Sequence, residues 1–228
     1  MFCAVTYQFK GKNNEKHKLR REQRKEEAKK IADEQSLVNA ANSVKNPLHL
    51  LIPHFHKYDR NGVNVTIECG FAKDWPEDIQ QWGFEITRRN MKDLYGKEWK
   101  DKEKRAELLE DTAQYLVAKQ EGEPVAFCHF RFDMDFDLAV LYCYEIQLEE
   151  KVQRKGLGRF LMQLMELMAF KTQMRKVVLT VFHDNKAAMS FYKSRLNYGV
   201  DETSPSAVEA EWEVNYEILS KTIKLQSK

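Results

Sequence analysis

The 228-residue sequence lacks the features that mark membrane, disulfide-rich and metal-binding proteins. No apolar run approaches the roughly 18 residues of a membrane-spanning helix, so no membrane partner is expected. The four cysteines are scattered without a C-x-x-C pair, which argues against a disulfide framework and favours a reducing compartment, nuclear or cytoplasmic. The six histidines show no H-E-x-x-H or comparable spacing, so no metal site is predicted.

The net charge of +2 conceals an uneven distribution. Residues 10–30 hold ten Lys or Arg against four Glu, a local charge of +6, which leaves −4 for the rest of the chain. We therefore predict a basic helical arm over residues 1–45 and a folded domain over residues 46–228. Such an arm can contact nucleic acid or serve as a nuclear-import signal. The alternative is a solvated helix whose glutamates pair with basic residues at i,i+4.

Hydrophobic periodicity predicts an α/β domain behind the arm. Residues 63–69 alternate as a half-buried strand does, and residues 79–94 carry apolar side chains at helical spacing, with Asp74 as the expected N-cap. The run at 139–150 is almost continuously apolar, which predicts a strand buried on both faces. Because residues 139–198 read as strand, helix, strand, helix, we expect the two strands to be parallel.

The turn after the strand at 139–150 carries the strongest chemical signal. Its sequence, VQRKGLGRF at 152–160, places Gly156 and Gly158 among basic residues where a helix begins. The first amides of a helix have no partner within it, and glycine lets a ligand approach the backbone, so this arrangement suits a phosphate. A P-loop would need G-x-x-x-x-G-K-[ST], and a dinucleotide fingerprint would need glycine where Leu161 stands. A tight turn without a ligand is the alternative.

A second motif follows the next predicted strand. It reads N-x-x-A-x-x-F-Y from Asn185 to Tyr192 and comes after Q-x-x-G-x-G from Gln153 to Gly158. In this order and context, the two motifs resemble those of the GCN5-related N-acetyltransferases, the GNAT superfamily. The resemblance implies a GNAT fold: a mixed central sheet whose parallel β-α-β-α core binds acetyl-CoA as co-substrate, without a metal.

A narrower resemblance covers about residues 47–220. The segments VAFCHFRFD, VLYCYEIQLE and NYEILS are similar to those of NatD-type enzymes, the N-alpha-acetyltransferases of histone amino termini. This resemblance implies acetylation of the Ser-Gly-Arg-Gly termini of type-four and type-two-A histones, by a monomer in the nucleus and cytoplasm. Two other functions stay open: an acetyltransferase for lysine side chains or small amines, and a non-catalytic acyl-CoA-binding module on chromatin.

Transfer of an acetyl group from a thioester to an amine needs an unprotonated amine and a stabilised oxyanion. Glu145 is the predicted general base, because burial in an apolar strand raises the pKa of a carboxyl group. The alternative is an ion pair with an arginine such as Arg131. Tyr144 is the second catalytic candidate. Regular pleating would place it on the opposite face from Glu145, so both reach the substrate only if the strand is bulged there, as it is in the family.

The resemblance implies the remaining site residues. For acetyl-CoA it implies Gln147, Leu148, Glu149, Gln153, Arg154, Lys155, Gly156, Leu157, Gly158, Arg159, Phe160, Asn185 and Tyr192, with backbone contacts at 147–149. For the peptide it implies Tyr95, Trp99, Asp133, Tyr144, Thr180, Thr203 and Tyr216. Residues 201–217 contain six carboxylates and no basic residue, so they are expected either to face an arginine-rich tail or to form a solvated loop.

Overall fold

The computed structural model describes residues 4–208 and 214–225, and of residues 4–16 it describes the backbone only. Its α-helices are α1 Ala4–Asn42, α2 Glu77–Tyr95, α3 Asp101–Leu108, α4 Leu157–Lys171 and α5 Lys186–Ser190, which a π-helical turn at Phe191–Arg195 extends. Its strands are β1 Lys57–Arg60, β2 Val63–Phe71, β3 Gln114–Gln120, β4 Glu123–Asp135, β5 Leu138–Leu148, β6 Lys176–Phe182, β7 Gly199–Val200 and β8 Tyr216–Thr222. Among these residues, no helix is long and apolar enough to cross a bilayer.

The strands form one mixed sheet in the order β1-β2-β3-β4-β5-β6-β8-β7. β5 and β6 are parallel, and the other described neighbours are antiparallel. The parallel pair, joined through α4, confirms the prediction for residues 139–198. β2 alternates as predicted, with a buried residue at each odd position from Val63 to Cys69. The predicted mixed α/β fold is therefore confirmed.

Two hydrophobic cores cover the two faces of the sheet. On one face, α4 and the end of α1 pack over side chains such as Leu116, Phe130 and Leu141. On the other face, α2 and α3 pack over Tyr115 and Phe127. Alternate residues of β3 and β4 enter opposite cores, as the pleat of a strand requires.

The N-terminal helix divides into an exposed and a packed part. Residues 17–33 are exposed throughout, whereas Val38 and Ala41 are buried in the core beside the sheet. Glu34 accepts hydrogen bonds from the Arg175 guanidinium, and Asn42 donates to the Phe132 carbonyl. The end of the predicted arm is thus part of the folded domain.

α2 begins later than its predicted N-cap. Asp74 lies in a short 3₁₀ turn, and Pro76 is the residue that precedes the first helical residue, Glu77. A residue before proline is disfavoured in the α region, so Trp75 takes an extended conformation and separates the turn from the helix. The Asp74 prediction was therefore wrong.

β5 and β6 separate toward their carboxyl ends. Their paired residues stop at Cys143 and Leu179, although β5 continues to Leu148 and β6 to Phe182. β5 is buried on both faces only from Ala139 to Leu141, and beyond that alternate residues are partly exposed. The prediction that this strand is buried on both faces is therefore wrong for the second half of β5, because that half borders an open cleft.

Candidate active site

The cleft between β5 and β6 continues as three adjoining cavities. The glycine-turn groove, of about 340 Å³, is lined by Asn90, Ile146, Gln147, Leu148, Gln153, Arg154, Gly156, Gly158, Arg159, Ala187, Ala188, Phe191 and Tyr192. The central cavity, of about 290 Å³, shares six of these residues and adds Met91, Cys143, Tyr144, Glu145, Asn185 and the end of β6. The tyrosine pocket, of about 360 Å³, is lined by Met91, Tyr95, Glu98, Lys104, Glu107, Tyr142, Cys143, Tyr144, Glu145, Thr180, Phe182 and Tyr216. Tyr144 and Glu145 line both the central cavity and the tyrosine pocket.

Strand β1 and the turn that follows it hold the glycine turn in place. Tyr58 Oη and Asn61 Nδ2 donate to the Lys155 carbonyl at 2.6 and 2.9 Å. Gly156 has φ of 92°, and a Cβ there would lie 2.5 Å from Tyr58 Oη, so only glycine fits. Sequence reasoning missed β1 and both donors. The available signal was the Asn61-Gly62 pair, which is typical of a tight hairpin turn.

The amides at the start of α4 are free of helical partners. The first intrahelical bond is donated by Phe160 N–H to Gly156 O at 3.1 Å, so the amides of Leu157, Gly158 and Arg159 precede it. A Cβ at Gly158 would meet Phe191 and Leu148 at ordinary contact distances of 3.6 and 3.7 Å. The protein itself does not require glycine there. The missing side chain instead keeps backbone open to the groove, which fits a pyrophosphate.

Most of the predicted cofactor residues border the cleft. Eight line the glycine-turn groove, namely Gln147, Leu148, Gln153, Arg154, Gly156, Gly158, Arg159 and Tyr192. Asn185 lines the central cavity and also caps α5 by accepting from Ala188 N–H. Sequence reasoning missed Asn90, Ile146 and Ala187 in the groove lining. Ala188 and Phe191 also line it; they are positions of the N-x-x-A-x-x-F-Y motif that were not assigned a cofactor contact.

Four predicted cofactor residues have other contacts. The Glu149 carboxylate accepts from Trp82 and Arg89, and the Leu157 side chain is fully buried in the core. Phe160 packs on the Tyr58 ring and lines a different cavity. Lys155 does not line the groove; its carbonyl joins the turn to β1. Side-chain contacts to the cofactor are therefore not supported at these four positions.

The backbone expectation for 147–149 also needs correction. Glu149 N–H donates to the Val125 carbonyl of β4 at 2.8 Å. Amides along a strand alternate in direction, so the Gln147 amide also faces β4, whereas the amides of Ile146 and Leu148 face the cleft. Ile146 and Leu148 thus present the amides that a ligand in the cleft can reach.

A bulge interrupts β5 at the predicted place. His129 of β4 pairs with Glu145, and the next residue, Phe130, pairs with Cys143, so Tyr144 is the extra residue. An extra residue changes which face the following side chains occupy. The predicted irregularity beside Glu145 is confirmed.

The bulge places Tyr144 and Glu145 on the same face of the sheet. The Tyr144 ring stacks on His129 at 4.9 Å, and His129 packs on Tyr115 in the core beneath α2 and α3. Glu145 reaches Lys104 of α3. Both side chains therefore lie under α2 and α3, at the opening of the cleft.

Glu145 is held as a buried, paired carboxylate. It is 4% exposed, and its oxygens accept from Lys104 Nζ at 3.1 Å and Gln147 Nε2 at 2.8 Å. Arg131, the partner considered from the sequence, instead contacts Glu110 and the Glu107 carbonyl. Sequence reasoning missed Lys104, because the pair joins residues far apart in the chain.

The charges around Glu145 act in opposite directions. Burial raises the pKa of Glu145, and the Lys104 ammonium together with the Gln147 amide limits that rise. Burial disfavours the charged form of Lys104, but the carboxylates of Glu145 and Glu107 outweigh it and raise the pKa of Lys104. Lys104 therefore stays protonated. The raised pKa of the neighbouring Glu145 carboxylate increases its affinity for a proton, which suits a general base.

The Tyr144 ring is fixed by three neighbours. Besides His129, the Arg131 guanidinium lies 4.2 Å and the Tyr142 ring 4.8 Å from its centre. Burial and the Arg131 and Lys104 charges hold the pKa of His129 well below its usual range, so His129 is neutral. Burial raises the pKa of Tyr144, so its hydroxyl keeps its proton. Tyr144 thus presents a fixed O–H group to the cleft.

The predicted peptide-binding residues are brought together in part. Tyr95, Tyr144, Thr180 and Tyr216 line the tyrosine pocket. Trp99 does not line it, but packs behind Tyr95 at a ring distance of 5.4 Å. Asp133 is exposed on β4, outside the lining of the pocket.

Residues 201–217 do not form a free acidic wall. Asp201 is buried and paired with Lys176 at 2.8 Å, and Thr203 donates to Asp201 rather than lining the pocket. Glu217 accepts from Ser204 and Ser206. Glu202 is exposed but lies 3.4 Å from Lys176 Nζ. The remaining carboxylates lie outside the described residues: Glu209, Glu211 and Glu213. All three described carboxylates therefore have partners within the protein.

Comparison with known proteins identifies the family. Residues 79–198, more than half of the chain, match the model of the acetyltransferase (GNAT) family, and the chain belongs to that family. GNAT enzymes use acetyl-CoA, in agreement with the glycine-turn groove and the cleft. No group of three metal-binding side chains occurs within the described residues.

Solved structures with a similar fold include three acetyltransferases. A GNAT-family acetyltransferase from Staphylococcus aureus Mu50 has a TM-score of 0.53 and 12% identity, over 70% of this chain and 100% of that one. The ribosomal-protein-S18-alanine N-acetyltransferase from Escherichia coli has a TM-score of 0.51 and 18% identity, over 72% and 97%. Ard1 from Thermoplasma volcanium has a TM-score of 0.51 and 17% identity, over 71% and 99%. At these identities the likeness concerns the fold alone.

Proposed function

We propose that this GNAT enzyme is an N-alpha-acetyltransferase whose substrates are histone termini that begin Ser-Gly-Arg-Gly. The observation that carries the proposal is the Glu145 carboxylate, buried, paired with Lys104 and placed where the central cavity meets the tyrosine pocket. The resemblance of VLYCYEIQLE and its neighbouring segments to NatD-type enzymes supplies the substrate class.

The chemistry of the amine supports the α-amino group over lysine. An α-amine has a reference pKa of about 7.7–8.0, against about 10.4 for lysine, so a single carboxylate can deprotonate it near neutral pH. Glu145 accepts that proton, directly or through water. Acetyl-CoA supplies an activated thioester. The Ile146 amide, which faces the cleft beside the bulge, is available to the developing oxyanion, and the Tyr144 hydroxyl is available as a proton donor to the leaving sulfur.

The surroundings of the tyrosine pocket suit a short basic tail. Its volume of about 360 Å³ favours a small first residue between Tyr95 and Tyr216. Asp133 and Asp135 follow Arg131 at alternate positions of β4, so they lie on the same face as Arg131, which packs on Tyr144. These carboxylates can receive the third-position arginine of the peptide. They replace the 201–217 segment in that role.

A turnover assay tests the proposed function. Acetyl-CoA is supplied with a Ser-Gly-Arg-Gly peptide that also contains lysine, and mass spectrometry locates the acetyl group. We expect it on the α-amine, and we expect no turnover of the same peptide with a blocked N-terminus. Acetylation of the lysine side chain in the blocked peptide would contradict the proposal. Equal turnover of Met-Glu, Ala-Glu and Ser-Gly-Arg-Gly peptides would leave only a general N-terminal acetyltransferase.

A further inference from the structure

We propose that the exposed part of α1 binds double-stranded DNA through one basic face. Residues 17–33 are exposed throughout, and the first side chain of α1 described as anchored to the domain is Glu34. Seventeen exposed helical residues extend about 25 Å at 1.5 Å per residue. A helix of this length without a packed face is available for a partner.

The charges on this part of α1 are separated around the helix. At about 100° per residue, half of the circumference carries Lys18, Arg20, Arg21, Arg24, Lys25 and Lys29, and we name this set the basic face. The other half carries Glu22, Glu26, Glu27 and Asp33 together with Lys30, whose ammonium lies 3.8 Å from Glu26. The i,i+4 pairing expected of a solvated helix is thus found opposite the basic face.

The apolar content of this segment argues against a membrane surface. Leu19 and Ile31 are its exposed large hydrophobic residues, and they lie about 120° apart around the helix. A helix that lies in a membrane interface needs a continuous apolar stripe. A protein partner would be expected to use a cluster of buried aromatic or aliphatic anchors. The half of the helix that carries the basic face offers a single large apolar side chain, Ile31.

The dimensions of the basic face match duplex DNA. Its six cations lie within 12 residues, about 17 Å of helix axis. DNA carries one phosphate per about 1.7 Å, and its major groove, about 12 Å wide, admits an α-helix about 10–12 Å across. With no acidic residue among its cations, the basic face can contact several phosphates at once.

The anchor of α1 keeps the basic face attached to the domain. Arg175 donates to both Glu34 oxygens at 2.5–3.0 Å, and the Ala139 amide donates to the same carboxylate at 3.0 Å. Asn42 then holds the end of the helix to Phe132. DNA bound to the arm is therefore connected to the enzyme through an ordered helix.

A salt titration tests the proposal. Binding of a fluorescent 20-base-pair duplex to the full chain is followed by anisotropy at several salt concentrations. Neutralising up to six phosphates gives a slope of about −5 in a plot of log K against log salt, about a thousandfold loss between 50 and 200 mM. In R20Q/R21Q/R24Q/K25Q the slope should fall to about −2, because four contacts are lost.

A matched control separates the basic face from net charge. K92Q/K97Q/K100Q/K102Q removes the same number of exposed positive charges from the domain and should leave the DNA slope unchanged. Equal losses in both variants, or a wild-type slope near zero, would overturn the proposal. Tighter binding of duplex RNA or of polyglutamate would also overturn it, in favour of another partner. R20Q/R21Q/R24Q/K25Q should still acetylate a short peptide at the wild-type rate, so the result does not depend on the proposed catalytic function.

Discussion

The two ends of the cleft are built in different ways. The glycine turn is local, because Gln153 and Gly158 are separated by only four residues and need only a strand-to-helix junction. The tyrosine pocket collects side chains from five elements: Tyr95, Lys104, Glu145, Thr180 and Tyr216. A local turn leaves a readable motif, whereas a pocket of distant residues depends on register, bulge and helix placement. Changes at the turn should therefore alter cofactor binding, and changes at the pocket should alter turnover and its pH dependence.

The largest effect is expected at the pocket. Glu145→Gln keeps the shape of the side chain and removes its basicity, so turnover should fall by about 10²–10⁴-fold. Acetyl-CoA affinity, measured by calorimetry, should stay close to that of the wild type. Glu68→Gln is the control, since Glu68 is also a strand carboxylate paired with a lysine but lies far from the cleft. Full turnover of E145Q would assign the proton transfer to another group.

The second effect is expected at the turn. Gly158→Asp places a carboxylate in the groove, and the juxtaposition of like charges costs several kcal/mol. We expect the Kd for acetyl-CoA to rise about a hundredfold or more. Gly158→Ala is the control, since its Cβ would make only ordinary contacts at 3.6–3.8 Å and should preserve folding. An unchanged Kd in folded G158D would place the pyrophosphate elsewhere.

The features that could be predicted from the sequence are the local ones. The parallel β5–β6 pair and the opening of α4 at the glycine turn were predictable because local patterns encode them. The bulge at Tyr144 was predicted from the family resemblance and not from a local pattern. Hydrophobic periodicity does not indicate the bulge, because one unpaired residue leaves the apolar run unchanged.

What sequence reasoning missed depends on long-range geometry. Tyr58 and Lys155 are 97 positions apart, and Lys104 and Glu145 are 41 apart, so no local pattern links them. An ion pair between Glu145 and Arg131 was the alternative to the general-base role. Strand register and the path of α3 instead place Arg131 beside Glu110. The sequence did not predict the partners of the acidic residues in the 201–217 segment, because partners such as Lys176 lie on another strand.

The third effect is expected at Lys104, which lowers the pKa of the proposed base, Glu145. Lys104→Met removes the ammonium that limits the pKa of Glu145, so that pKa should rise further. A base is active only when ionised. The acidic limb of the kcat/KM profile should therefore move to higher pH, with activity lost near neutrality and partly regained on raising the pH.

A conservative variant separates this electrostatic role from packing. Lys104→Arg keeps the positive charge and should retain most of the wild-type profile. Loss of a buried partner is expected to destabilise K104M by about 3–5 kcal/mol, so the profile is measured below its melting temperature. If folded K104M had the wild-type acidic limb, Lys104 would be structural only.

The smallest effect is expected at the acidic end of β4. Asp133 is exposed, so an ion pair between it and the third-position arginine of the peptide is worth about 0.2–1 kcal/mol, up to about fivefold in kcat/KM. A double-mutant cycle combines Asp133→Asn with a peptide that has alanine at the third position. Each change alone should lower kcat/KM, and the second should add little once the first is made. Asp59→Asn, an exposed carboxylate on β1, should show no such coupling. If the two losses in the Asp133 cycle were independent, the peptide arginine would bind to another residue. Asp135, which is partly buried and lies two residues further along the same face, would then be the next position to substitute.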